Sequence, residues 1–265
     1  MAPAKCRKVF FFLFSPCALA AMLIGNPAEP ALEKCGIFSP PDTWVSLRIA
    51  FLEDYVYRQR FEEEYKVAGV EHTQTYAKLS TNAGMATVNF EDRVDLYGIF
   101  GASRLQLNQE IYSKMQFSWG FGGKLILFEA KNLYFGLDIK YFAANQEAIY
   151  LLSQGLPFNI VGDFALNYSE TQFALGTCYR HSLIAPYLYA TYLISKINPD
   201  PAIALVRWPL DSTFLIDAEV RSVVARRRWG LAVGATLISG SKTTLSVESR
   251  MFNQNAINVN LDVRF

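Results

Sequence analysis

The stretch from Ala256 to Phe265 alternates strictly between apolar and polar side chains, and no other feature of the sequence restricts the fold as strongly. Its apolar positions are Ile257, Val259, Leu261, Val263 and Phe265, and its polar positions are Asn258, Asn260, Asp262 and Arg264. Successive side chains of a β-strand point to opposite faces, so this strand has one apolar face and one polar face. Such a strand fits a transmembrane barrel, between lipid and lumen. The last strand of a soluble β-sandwich is the alternative that this stretch leaves open.

Composition supports a β-structure and excludes one class of partner. The chain has 265 residues, of which 51% are hydrophobic and 14% aromatic, enough for one large β domain or two small domains. Aromatic side chains are enriched in strands and in the girdles of membrane barrels. The formal net charge is +1 and no basic stripe occurs, so we expect no nucleic-acid partner.

Residues 1–21 have the pattern of a cleaved secretory signal peptide. Lys5, Arg7 and Lys8 precede an apolar run from Val9 to Ile24, and small residues around Ala20 offer a cleavage site. Residues 22–43 follow as an extended, proline-containing N-terminal segment.

Residues 44–265 are predicted to form an all-β, antiparallel transmembrane β-barrel of the bacterial outer membrane. Alternating stretches give about twelve strands, with roughly ten to sixteen possible. The first strand is expected to end at a turn at Glu53-Asp54, and another strand is expected at 214–226. Irregular segments are predicted at 143–162 and 198–212, because the alternation breaks there.

The predicted order of strands conflicts with the usual orientation of such barrels. With both ends of the barrel in the periplasm, this count places the long connections on the periplasmic side, where outer-membrane barrels have short turns. We therefore expect that at least one strand is missed or miscounted, within 202–210 or elsewhere.

Several blocks resemble the chlamydial major outer membrane protein family, a family of porins. Those near the start are Gly25 to Pro30, Thr43-Trp44, Glu53 to Val56 and Asn89 to Asp95. Those later in the chain are Tyr168 to Gln172, Tyr179-Arg180, Pro186-Tyr187, Gly230 to Gly234, Val247 to Arg250, Val259-Asn260 and Arg264-Phe265. The resemblance spans nearly the whole mature chain.

This resemblance implies a porin in the outer membrane of an obligate intracellular bacterium, with a structural role in the cell envelope. It also implies contact with outer-membrane lipids, recognition of Phe265 by the barrel assembly machinery, and a homotrimer. Cysteines link that family's members to cysteine-rich envelope proteins. Only Cys35 and Cys178 would remain here after signal cleavage, and they can form such a link, pair with each other or stay free.

A porin acts through the charges that line its lumen. If the polar face of each strand points inward, eight basic and six acidic residues become candidates for solute selectivity. They are Arg48, Arg93, Asp95, Lys124, Asp138, Lys140, Arg180, Asp217, Glu219, Arg221, Glu248, Arg250, Asp262 and Arg264. This balance predicts at most a weak anion preference in an open, water-filled pore for ions and small hydrophilic solutes.

Two other functions remain open at this stage. One is a structural envelope barrel with a closed lumen, which would share these sequence features. The other is an outer-membrane enzyme, which would need a nucleophile and a base or clustered carboxylates at a rim. The chain contains two histidines, His72 and His181, and His181 lies in an expected turn. No phosphate-binding loop or metal-ligand spacing occurs, so we expect neither enzymatic activity nor a cofactor.

Overall fold

A computed structural model describes residues 25–32, 37, 43–64, 75–108, 110–153, 156–207, 215–239 and 242–265. The predicted signal peptide, Cys35 and His72 lie outside these residues. Within them, no helix is long and apolar enough to cross a membrane.

Among the described residues, ten long strands form a closed antiparallel ring, in which the first strand pairs with both the second and the last. This confirms the predicted fold class. The ring strands are β1 (Val45–Glu63), β2 (Thr75–Phe90), β3 (Val94–Leu107), β5 (Gln116–Ala130), β6 (Leu133–Ser153), β8 (Ala165–Tyr179), β9 (Ile184–Asp200), β13 (Trp229–Ser239), β14 (Thr243–Met251) and β15 (Gln254–Arg264).

Five shorter strands extend the ring at one end. They are β4 (Ile111–Ser113), β7 (Leu156–Val161), β10 (Ile203–Arg207), β11 (Leu215–Glu219) and β12 (Val223–Ala225). β4 bridges β3 and β6, and β12 bridges β1 and β9. Of these, β7 pairs with β6, β10 pairs with β7, and β11 pairs with β10. We call β7, β10 and β11 the cap.

The connections define the two ends of the barrel. Short turns join β2 to β3, β5 to β6, and β8 to β9 at the end where β1 begins and β15 ends. The long connections, including the cap, lie at the opposite end. Outer-membrane barrels have short periplasmic turns and longer extracellular loops, so we call these the periplasmic and extracellular ends.

Two corrections explain why ten ring strands replace the expected twelve. The expected turn at Glu53-Asp54 is wrong, because β1 runs without a turn from Val45 to Glu63 and the Asp54 side chain points inward. The expected strand at 214–226 does not cross the membrane; its described part forms β11 and β12 at the extracellular end. Each extra strand reverses the direction assigned to the strands that follow it. This reversal is why the sequence-based count placed the long connections at the periplasmic end.

The predicted irregular segments also contain strands. Residues 143–153 continue β6 toward the extracellular end, where they pair with β4, β7 and β8, and β7 occupies 156–161. Small and polar residues such as Ala143, Ala144 and Asn145 hide the alternation there. Within 198–212, β9 extends to Asp200 and β10 lies in the cap, so the strand suspected within 202–210 exists without being part of the ring.

The outward face of the ring is apolar around the periplasmic half of each strand. On β1, Leu47, Ile49 and Phe51 are each more than half exposed, as a lipid-facing surface requires. Leu261 of β15 lies directly opposite Phe51 on the same face.

We predict that Leu261→Arg lowers the free energy of unfolding by about 2–4 kcal/mol, because it places a guanidinium in the hydrocarbon region. The measurement is denaturant unfolding of the protein folded in lipid vesicles. Leu261→Ala is the matched control, since it shortens the same side chain without adding charge. Equal losses for the two variants would show that this face does not contact lipid.

Candidate functional site

The lumen of the barrel is the candidate functional site, and it contains most of the charged residues expected there. Nine of the candidates point inward and are no more than 4% exposed. They are Arg48, Asp95, Lys124, Asp138, Lys140, Glu248, Arg250, Asp262 and Arg264. All lie in the periplasmic half or near the middle of the barrel, and we call them, with their inward acidic neighbours Asp54 and Glu170, the charged layer.

Four candidates are placed elsewhere, so their assignment to the lumen is wrong. Arg93 is exposed in the turn between β2 and β3. Asp217, Glu219 and Arg221 are exposed at the extracellular end, on or next to the short strand β11. For Asp217, Glu219 and Arg221 the error follows from the mistaken ring strand at 214–226, and for Arg93 from counting a turn residue as the start of a strand.

Residues 25–32 lie inside the periplasmic half of the lumen, and we call them the luminal segment. They include the one-turn helix α1 (Glu29–Leu32), and every residue except Ala31 is buried. Gly136 of β6 makes room for them, because a Cβ atom there would lie 2.8 Å from the carbonyl oxygen of Pro27. The expected extended N-terminal segment therefore enters the barrel in its described part.

Wall side chains hold the backbone of the luminal segment. The Arg48 guanidinium donates to the Glu29 carbonyl oxygen at 3.0 Å, and Asn89 Nδ2 donates to that of Pro30 at 3.2 Å. Arg180, a candidate that lies half-buried at the periplasmic mouth, donates to the Ala31 carbonyl oxygen at 3.1 Å. These bonds satisfy carbonyls that the single turn of α1 leaves without helical partners.

Side chains of the segment bind the wall in return. The Glu29 carboxylate forms an ion pair with Lys124, and both groups are almost fully buried. The Asn26 amide donates to Thr236 Oγ1 at 3.0 Å and to the Ala185 carbonyl oxygen at 3.2 Å. The segment is thus fixed on several sides of the ring by polar contacts.

Other members of the charged layer form ion pairs within the wall. Arg48 pairs with Asp95, and Arg250 pairs with Asp54 and lies 3.6 Å from Glu248. Arg264 reaches Asp92 in the periplasmic turn at 2.7 Å. Buried charges are tolerated when they are paired in this way, so these ion pairs cross-link strands across the lumen.

Sequence reasoning missed two acidic members of this layer and the tyrosines beside them. The expected turn at Glu53-Asp54 leaves Asp54 out of the predicted lumen, and Glu170 is not among the predicted lumen residues. Tyr97 donates to Asp138 Oδ1 at 3.0 Å, and Tyr168 donates to Glu170 Oε2 at 2.5 Å. Extending the alternation of β1 through Glu53 would have placed Asp54 inward.

Apolar side chains predominate in the extracellular half of the lumen, where buried polar groups such as Gln59 and Gln146 lie among them, and we call these apolar side chains the apolar layer. Buried side chains from many strands form one contiguous cluster, including Leu52, Phe61, Leu105, Phe142 and Leu166. The cap closes over this cluster, as Phe158 of β7 and Val206 of β10 are buried in it. A cavity of about 390 Å³ remains at the extracellular mouth, between the cap and the ends of β1 and β3.

The cysteine and histidine predictions are tested only in part. The Cys178 thiol is buried and free beside the luminal segment, whereas its expected alternative partner, Cys35, lies outside the described residues. His181 is exposed in the turn between β8 and β9, as expected. Within the described part of the chain, no group of three or more His, Cys, Asp or Glu side chains is arranged to hold a metal ion.

Comparison with known proteins reveals distant relatives over nearly the full length. No family model matches the chain. The major outer membrane porin of Chlamydia trachomatis serovar F is 23% identical over 386 aligned positions, which cover 97% of this chain and 98% of the relative. The serovar A porin is 22% identical over 391 positions, with the same coverage. These matches confirm the resemblance that the sequence blocks indicated, and gaps account for the shorter length of this chain.

Similar solved structures are more remote. The translocator domain of the autotransporter NalP from Neisseria meningitidis is 12% identical with a TM-score of 0.43, covering 84% of this chain and 89% of that domain. The outer membrane protease OmpT from Escherichia coli is 11% identical with a TM-score of 0.40, covering 83% and 96%.

We predict that Asp54→Ala lowers the free energy of unfolding by about 3–5 kcal/mol, because it leaves the buried Arg250 guanidinium without its main partner. Asp163→Ala removes an exposed carboxylate and serves as the control, for which we expect a change within about 0.5 kcal/mol. Denaturant unfolding in vesicles measures both. A loss below about 1 kcal/mol for Asp54→Ala would mean that water reaches Arg250 in the lumen.

Proposed function

We propose that this chain, a divergent relative of the chlamydial major outer membrane porins, is an outer-membrane barrel whose lumen is closed at rest and whose resting role in the envelope is structural. This closed barrel differs from an open pore in what occupies the lumen. The occupancy of the periplasmic half by the luminal segment is the single observation that carries the proposal.

The contacts of the segment support a stable closure. Its carbonyl groups accept hydrogen bonds from Arg48, Asn89 and Arg180, which come from three different strands or their ends. Its one carboxylate is neutralised by Lys124 of a fourth strand. Displacing the segment would break all of these contacts and leave Lys124 without this partner.

A second closure in the extracellular half adds support. Fully or nearly fully buried apolar side chains, among them Leu52 and Phe142, form one contiguous cluster in this region. Hydrophobic constrictions stop ion passage by excluding water. Ions entering from the extracellular side would therefore meet the cap, the apolar layer and then the luminal segment.

Gated diffusion of ions and small hydrophilic solutes is the second candidate function. It is favoured by the name porin carried by the relatives and by the polar character of the contacts that hold the segment. Water that entered the lumen could replace these hydrogen bonds, whereas it could not replace apolar contacts. Under this alternative, withdrawal of the segment is a first step and rearrangement of the apolar layer a second.

We predict that the purified, refolded protein gives no stepwise conductance in a planar bilayer at moderate voltage, because the luminal segment occupies the periplasmic half and apolar side chains predominate in the extracellular half. Folding is verified separately by the heat-modifiable gel mobility of the barrel. A general porin of known open conductance, inserted under identical conditions, is the positive control. Regular conductance steps from the wild-type protein would overturn the closed-lumen proposal.

Gly136→Val is predicted to displace the luminal segment, because its side chain would occupy the position of Pro27. A cysteine at Ala28, in a background without the native cysteines, reports the displacement through its rate of labelling by a water-soluble maleimide. We expect labelling to accelerate by about tenfold or more, since Ala28 is fully buried.

Gly84→Val is the control, because a Cβ at this outward-facing glycine has no neighbour closer than 3.9 Å. Conductance of Gly136→Val then separates the two candidates. New conductance steps in this variant favour gated diffusion, whereas faster labelling without conductance favours the structural barrel.

A further inference from the structure

The outward face of the barrel has an arginine-lined depression at its extracellular end. It has a volume of about 220 Å³ and lies between the end of β1, the turn from β14 to β15, and the connection that enters β13. Arg58, Arg60 and Arg227 line it together with Met251 and Phe252. This depression is separate from the lumen, because its residues belong to the opposite face of the strands.

A β-bulge in β1 directs the first of these arginines outward. The pairing of β1 with β15 shifts between Val56 and Arg58, and its pairing with β2 shifts over the same stretch. As a result Tyr57 and Arg58 are both exposed, although neighbouring residues of a regular strand would face opposite sides. The Arg58 guanidinium then lies over the Tyr76 ring, 4.5 Å from its centroid.

The other two arginines are held by the backbone around them. The Arg226 N–H donates to the Arg60 carbonyl oxygen at 3.0 Å, which joins the connection before β13 to the end of β1. This bond places exposed Arg227 next to half-buried Arg60 on the outer surface.

Unlike three other cations at the same end, these arginines form no ion pair with a carboxylate of the described residues. Lys114 pairs with Glu147 at 2.5 Å, Lys196 with Glu64 at 2.7 Å, and Arg221 with Glu63 at 3.3 Å. Among the described residues, no ion pair involves Arg58, Arg60 or Arg227, and no carboxylate lines their depression. The site therefore carries a concentrated positive charge that the described protein does not neutralise.

Two adjacent depressions continue this charge around the barrel. One of about 320 Å³ is lined by Arg58, Tyr76 and Lys78, and the next, of about 230 Å³, by Lys78 and Arg104. No described carboxylate lines either of them. The cations thus form a band across β1, β2 and β3, wide enough to meet more than one anionic group.

The position of the band identifies the kind of ligand. On β15, Asn255 lines the arginine depression and the next outward residues, Ile257 and Val259, belong to the apolar lipid-facing surface. A ligand bound here would have its acyl chains on that surface and its anionic head among the arginines. Guanidinium groups bind phosphate through paired N–H donors, and clusters of basic residues at a membrane surface attract anionic lipids.

We propose that Arg58, Arg60 and Arg227 form a binding site for the phosphate groups of a phosphorylated glycolipid in the outer leaflet of the outer membrane. Lys78 and Arg104 bind a second phosphate of the same molecule or of its neighbour. Met251 and Phe252 pack against the apolar part of the head. This site goes beyond the proposed function, since it is independent of whether the lumen is open.

The test compares Arg58→Gln/Arg60→Gln/Arg227→Gln with the wild-type protein, both folded in zwitterionic detergent. Native mass spectrometry or a titration measures binding of bisphosphorylated lipid A. We expect the triple variant to lose affinity by about tenfold or more, because three charge-assisted interactions are removed. The matched control is Arg93→Gln/Lys131→Gln/Lys242→Gln, which makes the same change of charge at exposed periplasmic positions.

Further ligands distinguish the source of the phosphate. Monophosphorylated lipid A should bind several-fold more weakly than the bisphosphorylated form, and phosphatidylglycerol and inorganic phosphate more weakly still. Equal loss of lipid A binding in the control variant, an unchanged affinity in the arginine variant, or equal binding of phosphatidylglycerol would each overturn the proposal. The arginine substitutions lie outside the lumen. We therefore expect them to leave unchanged both the conductance and the labelling rate of a cysteine placed at Ala28, so this test does not depend on whether the lumen is open or closed.

Discussion

The antiparallel pairing of β1 with β15 is the constraint on which the rest of this structure depends. Within hydrocarbon, each unpaired backbone N–H or C=O group costs several kcal/mol, so a sheet can span a membrane only as a closed ring. The pairing runs from Arg48 opposite Arg264 to Gln59 opposite Gln254. The N–H of Phe265 continues it by donating to the Leu47 carbonyl oxygen at 2.8 Å. Closure at ten ring strands also determines how much space remains inside.

That space is small enough for side chains and one chain segment to fill. Glycines on the inward face let large side chains lie flat against the wall, as where Tyr189 covers Gly176 and Tyr187 covers Gly234. Charged groups in such an interior are removed from bulk water and need partners. The ion pairs of Arg48 with Asp95 and of Arg250 with Asp54 meet this need. The inward charged side chains, which in the sequence suggest a water-filled pore, therefore form ion pairs that cross-link strands.

The alternation of side chains was sufficient to predict the barrel, its outward face and nine of the inward charges. It could not predict the strand count, because Glu53-Asp54 has the composition of a turn while the ring needs an inward carboxylate opposite Arg250. It also could not predict what fills the lumen. A period of two residues specifies which face a side chain occupies, but it contains no information on the distance to the opposite wall. In addition, inward apolar residues such as Leu52 and Val56 break the contrast between faces in the extracellular half of β1.

The luminal segment is part of the charge balance of the barrel wall, and this distinguishes it from a loop that happens to fold inward. The Lys124 ammonium pairs with Glu29 of the segment and lies 5.9 Å from the centroid of the Tyr97 ring, whose hydroxyl binds Asp138. Arg48 similarly connects the segment to Asp95 through its guanidinium. Because the segment and the wall share these two cations, docking of the segment stabilises the same contacts that hold neighbouring strands together. Any event that removes the segment must therefore reorganise the charged layer, so closure of the lumen and stability of the wall are coupled through Arg48 and Lys124.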